Sequence, residues 1–445
     1  PIVGRQQQDS GQFQFADLPT SLGTVSGTIE LSEAPTFPPS PGRHYYAFRG
    51  IPYVAPPVGD LRWEAPQELS GPLSGGRLDA THFRAVCPQF DPDTDQVVGD
   101  EDCLYLNVYT PFLPGESQER LPVLVFLHGG SYMRGSANSH GAQRLMREDI
   151  IVVTVGYRLG ALGFLSTGES TIPGNYGLLD QVAALQWVQR HIQEFGGEPS
   201  RVTLGGFASG ASATHLHTLS PLSRGLFQSA IMMSGAGNCV WSVAHDPYEA
   251  AMDLAYDLEC STWSYAAMRE CLMGKSYRQL IQAQAKEHKF VLWPMLYRPI
   301  VDKYLRDNPF LPEPLHVLMA SPPPVPMPLL LGGSSYDGLI FALNSIIFSE
   351  APGSPSQIYE EATHYTLRSM WPNVTADPAV ADVVAEVLKT YYYSPQAKDN
   401  INTLLDEMTQ AFTDMFFTSC IWDAAAHMAA SSRAPVYTYV MGYHE

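Results

Sequence analysis

"RVTLGGFASGAS", residues 201–212, decides how this chain is read. RVTLG is a short β-rich run. Gly206, Ala208, Ser209, Gly210, Ala211 and Ser212 are small and close-spaced, and a helical pattern follows. A strand handed to a helix through a glycine-flanked turn is the layout of the G-x-S-x-G nucleophile turn. In that register Gly206 and Gly210 are the fixed glycines, Phe207 is the second position and Ala208 the third. A methyl group cannot attack a carbonyl. Ser209 stands one residue late, and a one-residue displacement moves a hydroxyl further than near-attack geometry tolerates.

Working outward, "DIIVVTVGYRLG" (149–160) reads as a second strand and "LPVLVFLHGG" (121–130) as another. "PLLLGG" (328–333) and "APVYTYVM" (434–441) are two more. Apolar runs without alternation are expected of parallel strands covered on both faces. Between the strands at 149–160 and 201–207, Leu178, Val182, Leu185, Val188 and Ile192 recur at helical spacing, and Gly196-Gly197 marks a stop. Strand, helix, strand is the crossover unit of a parallel sheet. The regions 243–320 and 380–430 are mostly helical by pattern. The class is α/β. The proline-rich stretches 33–43 and 321–328 are short and read as surface connections.

The 445 residues carry 26 basic and 45 acidic side chains, a net charge of −19. That balance opposes binding to nucleic acid or to an anionic membrane. "IIVVTVGYRLGALGFL" is interrupted by Arg158 and glycines, so it is no membrane span. Six cysteines are present: Cys87, Cys103, Cys239, Cys260, Cys271 and Cys420. Cys87/Cys103 and Cys260/Cys271 would each close a short loop, which fits an oxidising compartment. Asn373-Val374-Thr375 is a glycosylation sequon, consistent with secretion. The first residue is Pro1 with no leader ahead of it, as expected of a mature or trimmed ectodomain; a membrane anchor would lie outside this chain.

A hydrolase built on such a turn needs three further parts. Backbone N–H groups must receive the oxyanion, and "LHGGSYMRG" (127–135) offers those of Gly130 and Ser131, joined by that of Ser209. A carboxylate must orient a histidine, and Asp337 sits in a loop after a strand, where a turn residue is the plainer reading. No histidine is assignable. His128 belongs to the glycine loop, His215 and His217 lie on the helix after the turn, and His444 is the penultimate residue. No His/Asp/Glu cluster has metal-ligand spacing, and no phosphate or dinucleotide motif occurs, so neither metal nor cofactor is expected.

With these residues the chain resembles the carboxylesterase/cholinesterase family. The resemblance rests on "FRGIPYVAPPVGDLRW" (48–63), "EDCLYLNVYTP" (101–111), "GNYGLLDQVAALQWV" (174–188) and "GLFQSAIMMSG" (225–235), and runs from about residue 20 to the end. It implies an α/β-hydrolase fold, a mostly parallel twisted sheet with helices on both faces, in one domain over 1–445. It implies disulfides Cys87–Cys103 and Cys260–Cys271, and ion pairs Arg49–Glu101 and Arg158–Asp180. In the family, the residue at Cys420 pairs with a cysteine nearer the carboxyl end, and the catalytic histidine lies beyond the last strand. Neither is found here, so the domain is expected to lack its C-terminal segment.

An active member would read Gly-Glu-Ser-Ala-Gly where this chain reads Gly206-Phe207-Ala208-Ser209-Gly210. The loop between Cys87 and Cys103 also lacks the tryptophan that binds choline in cholinesterases. The family's catalytically silent members, among them neuroligins, neurotactin and gliotactin, serve adhesion and recognition. "HGGSYM" and "VTVGYRLGALGFLSTGE" resemble the neuroligin forms. The leading expectation is a non-catalytic extracellular domain that binds a cell-surface protein, able to dimerise through C-terminal helices such as 380–393. The alternative is a type-B carboxylesterase, seen as a Ser-to-Ala variant or using Ser209. A third reading keeps the old gorge as a small-molecule pocket.

Overall fold

The computed structural model describes residues 14–33, 41–69, 71, 75–286, 295–321, 325–347, 355–358 and 377–442. Asn373, His444, residues 34–40 of the first proline-rich stretch and 322–324 of the second lie outside the described residues.

The strands in chain order are β1 (Gln14–Thr20), β2 (Gly23–Leu31), β3 (His44–Pro52), β4 (Arg77–Asp79), β5 (Gln89–Asp91), β6 (Gln96–Val98), β7 (Tyr105–Thr110), β8 (Leu121–Leu127), β9 (Ile151–Val155), β10 (Gly197–Phe207), β11 (Ser229–Met233), β12 (Leu329–Ser334) and β13 (Val436–Met441). One sheet runs in the order β1-β2-β3-β7-β9-β8-β10-β11-β12-β13, with β4 beside β2. From β9 to β13 every pairing is parallel. Along the order β1-β2-β3-β7-β9 every pairing is antiparallel, while β4 lies parallel to β2. Ile151–Val155 is buried at every position, as helices on both faces require. The helix Tyr176–His191 packs almost its whole surface, and Gly196 ends the following short turn with φ 90°.

Register decides where a site can form. Gly206 of β10 lies opposite Leu127 of β8 and Met232 of β11, and Met232 lies opposite Leu331 of β12. The loops leaving β8, β10, β11 and β12 therefore emerge together at the carboxyl edge of the parallel strands, the usual ligand edge of such sheets.

Cys87–Cys103 and Cys260–Cys271 are bonded, as the resemblance implies. Cys420 does have a partner: it is bonded to Cys239, 181 residues earlier. The helix Ser419–Ser431 packs against the loop after β11, and this brings the two sulfurs together. Arg158 and Asp180 form the expected buried pair, with Nη2 and Nε on the two carboxylate oxygens at 2.7 and 2.8 Å. Arg49 and Glu101 do not meet. The β2–β3 register lays Arg49 over Glu30 (2.6 Å) and Thr28 (3.0 Å). Glu101 is instead held through both oxygens by Arg62, at 2.6 and 2.7 Å.

Candidate active site

The turn between β10 and the helix Ser209–Leu219 is strained, with Ala208 at φ 52° and ψ −116°. Two glycines make it possible. A β-carbon at Gly206 would stand 2.1 Å from the Gly210 carbonyl oxygen, and one at Gly210 would stand 2.2 Å from that of Leu127. Ala208 donates its N–H to Met233 (2.8 Å) and accepts from the Ser212 N–H (2.9 Å). Its methyl is partly exposed, and Phe207 beside it is exposed.

Ser209 is 1% exposed, so its hydroxyl faces the interior. Its Oγ accepts from the Tyr132 N–H at 3.3 Å and lies against the Tyr157 hydroxyl. This bond ties the elbow helix to the glycine loop. Tyr132 in turn donates its own hydroxyl to Ser212 at 2.7 Å.

The glycine loop lies directly against the elbow, since a β-carbon at Gly129 would come within 3.2 Å of the Ala208 methyl. Gly130, Ser131 and Tyr132 run at φ 116°, 59° and 60°, an unusual succession for two non-glycine residues. Met133 and Arg134 both donate to the Gly130 carbonyl at 3.0 Å and close the turn. Gly130 and Ser131 are thereby held next to the start of the elbow helix, where Ser209 lies.

Asp337 follows β12 and reaches across to the loop after β11. One carboxylate oxygen accepts from the Ser234 hydroxyl (3.0 Å) and the other from the Ser334 N–H (2.9 Å). Burial pushes its carboxyl above the ordinary value, against the pull of those two bonds. Ser234 was not singled out in the sequence; its signal is a serine placed at the end of "AIMMSG". Among the described residues no histidine bonds Asp337.

The three histidines near the elbow are packing residues. His128 is buried and stacks on Tyr157 at 4.3 Å, and burial lowers its pKa to about 4. His217 bonds Ser223 and Gln181 through its two ring nitrogens, and burial lowers it to about 3. His215 accepts from the Gly237 N–H at 2.9 Å and is lowered to about 4, again by burial. Among the described residues no group of His, Cys, Asp and Glu could hold a metal ion.

An elbow, a glycine loop and a carboxylate loop at one sheet edge define an esterase-type α/β-hydrolase. The chain belongs to the carboxylesterase family, whose model matches residues 15–445. It is 36% identical over 438 residues to a carboxylic ester hydrolase of Bombus ignitus, covering 97% of this chain and 75% of that protein. It is 34% identical over 415 residues to esterase FE4 of Myzus persicae, covering 90% and 70%. Neuroligin-3 of Mus musculus is 31% identical over 439 residues, covering 89% of this chain and 51% of that protein. The solved structure of juvenile hormone esterase from Manduca sexta, with OTFP covalently attached, matches with a TM-score of 0.80 at 27% identity, over 97% of this chain and 79% of that one.

Proposed function

We propose that this is a carboxylesterase-family domain that no longer hydrolyses esters and acts outside the cell in protein recognition. One observation carries the reading: the tip of the elbow is Ala208, while the neighbouring Ser209 hydroxyl is buried and bonded to Tyr132. A nucleophile must reach the acyl carbon from the tip of this turn. No rotation about a single side-chain bond brings the Ser209 oxygen round from the opposite face of the backbone. Three disulfides support an oxidising compartment, and among the described residues no helix is long and apolar enough to cross a membrane. The recognition role rests on the likeness to neuroligins. Self-association, where it occurs, would use the helix Pro378–Tyr392, whose Val380, Val383, Val387 and Tyr391 form an exposed apolar stripe.

The test is a fluorophosphonate probe together with an activated ester. We expect no covalent adduct and no burst. An adduct mapped to Ser209 would restore the esterase reading. For the recognition role, capture of cell-surface proteins on the soluble domain should yield a saturable partner whose binding is lost on surface substitutions.

A further inference from the structure

Next to the elbow, but outside it, a second site is built. The loop 237–247, the segment 300–319 and the helix Ser419–Ser431 line a solvent-open cavity of about 650 Å³. That is within the usual range for a small-molecule site. Ala208, Gly130, Ser131 and Asp337 are not on its wall.

The walls are fastened to one another. The Cys239–Cys420 bond joins the loop to the helix. Asn238 Nδ2 donates to Asp423 Oδ2 at 2.8 Å, one turn further along the same helix. The Ala244 N–H donates to the Pro299 carbonyl at 2.8 Å and the Arg298 guanidinium to the Val240 carbonyl at 3.2 Å, which fixes the third wall. A cavity whose walls are cross-linked is present before any ligand arrives, and preorganisation removes part of the cost of binding.

Its chemistry is uneven. Val240, Val243, Ile300, Leu305, Leu315 and Met319 supply an apolar body. The polar end is rich in acceptors. Among the described residues Asp423 is the only carboxylate on its wall and no lysine or arginine lines it, while His245, His316 and His427 add imidazole rings. Asp423 is half exposed, and its Oδ1 lies 3.3 Å from His427 Nδ1.

We infer that this cavity binds a small amphipathic amine, with its apolar body between Val240, Leu305 and Met319 and its ammonium group at Asp423. An ammonium has three donors and no acceptor, which complements a carboxylate with no cationic lysine or arginine beside it among the described residues. The net charge of −19 favours the approach of a cation. The site requires neither the presence nor the loss of ester hydrolysis, so it stands or falls apart from the function proposed above.

Isothermal titration of the intact chain with 4-phenylbutylamine tests it, with 4-phenylbutanol and 4-phenylbutanoate as matched controls. The amine should bind at one site about tenfold or more tighter than either control, the worth of one charge-assisted hydrogen bond. Asp423→Asn should remove about that factor for the amine and leave the alcohol unchanged. Met319→Trp should fill the cavity and abolish binding of all three, and Leu315→Trp does the same from another wall should the first variant fold poorly. Equal affinity for amine and alcohol, indifference to Asp423→Asn, or binding that survives a folded cavity-filling variant would each overturn the assignment.

Discussion

The elbow and the corner at Cys239 stand side by side, at the ends of β10 and β11, yet they are held in different ways. The elbow is a backbone structure. Its contacts are the close approach of Gly206 to Gly210 and of Gly210 to Leu127, and the bonds of the Ala208 N–H and C=O. None of these involves the side chain at position 208. The corner is a side-chain structure, held by Cys239–Cys420, by Trp241 Nε1 on the Phe416 carbonyl (2.8 Å) and by Asn238 on Asp423. The difference teaches that a nucleophile turn is kept because the sheet and its helix pack through it. Its survival is evidence about packing, and its chemistry is a separate matter decided by one side chain.

The largest effect should come from breaking the backbone structure. Gly210→Val would drive a side chain into the Leu127 carbonyl and lift the helix off β8. A loss above about 4 kcal/mol is expected, with little soluble folded protein. A variant that melted like the parent would show that the elbow is not a packing requirement. Cutting the side-chain structure should cost less. Cys239→Ala with Cys420→Ala should lower unfolding free energy by about 2–5 kcal/mol in urea titrations. The same double variant should loosen the cavity wall while leaving the elbow intact. If it proved as damaging as Gly210→Val, the contrast between the two regions would fail.

Acid should strain both regions together. His128 and His217 pack around the elbow and His215 packs under the corner; all three are buried, with burial lowering them to about 4, 3 and 4. An unfolded histidine titrates near 6.5, so between 6.5 and about 4 the unfolded chain holds more protons than the folded one. Their contribution is complete above pH 6.5 and is lost as pH falls through that window. Unfolding free energies measured from pH 7.5 to 4.5 should therefore drop steeply below 6.5, by about a few kcal/mol in total. His217→Gln should flatten the slope. Asp337 acts in the opposite sense: its raised carboxyl favours the folded state at low pH and loses that preference as pH rises through the carboxylate range. A flat profile from 7.5 to 4.5 would show that these rings are not held neutral.

The parallel half of the sheet was legible in the sequence because its strands read as near-continuous apolar runs, although only β9 is buried at every position and the edge strand β13 is largely exposed. β8, β9 and β13 fall inside the stretches read as strands, β10 begins four residues earlier at Gly197, and β12 runs one residue further to Ser334. β1 and β2 were not read: they mix polar and apolar positions, and nothing local distinguishes them from loops. β7, β11 and the end of β3 were seen only as parts of family motifs. At the site, Ala208 and the glycine loop were visible because turn chemistry is local. Ser234 was not, because its partner Asp337 is 103 residues away. The Cys239–Cys420 bond was out of reach for the same reason, and the resemblance pointed to a different partner for Cys420. Arg49 shows how a motif can mislead: its position in the signature is clear, but its partner is set by the register of β2 against β3.

The smallest effects belong to the two residues at the elbow tip, and they sharpen the comparison most. Ser209→Ala removes the acceptor for the Tyr132 N–H and should cost about 1 kcal/mol, the price of one buried bond. It should change no reaction with an activated ester, because that hydroxyl is part of the packing.

Ala208→Ser should be nearly silent in stability, within about 0.5 kcal/mol, since the new oxygen points to a partly exposed space and breaks no bond. It should also give no appreciable turnover. The restored hydroxyl would find an oxyanion loop at hand, but among the described residues no histidine stands between it and Asp337 to take its proton. Removing triad partners while keeping the nucleophile costs most of the rate enhancement in enzymes of this kind. Steady-state release of nitrophenol from an acetyl ester, compared between Ala208→Ser and the parent, measures this directly. Multiple turnovers by the variant would mean that a general base reaches the elbow from residues outside those described. The elbow would then be a catalytic site lacking a single atom, and its likeness to the side-chain-built corner would be closer than the contacts suggest.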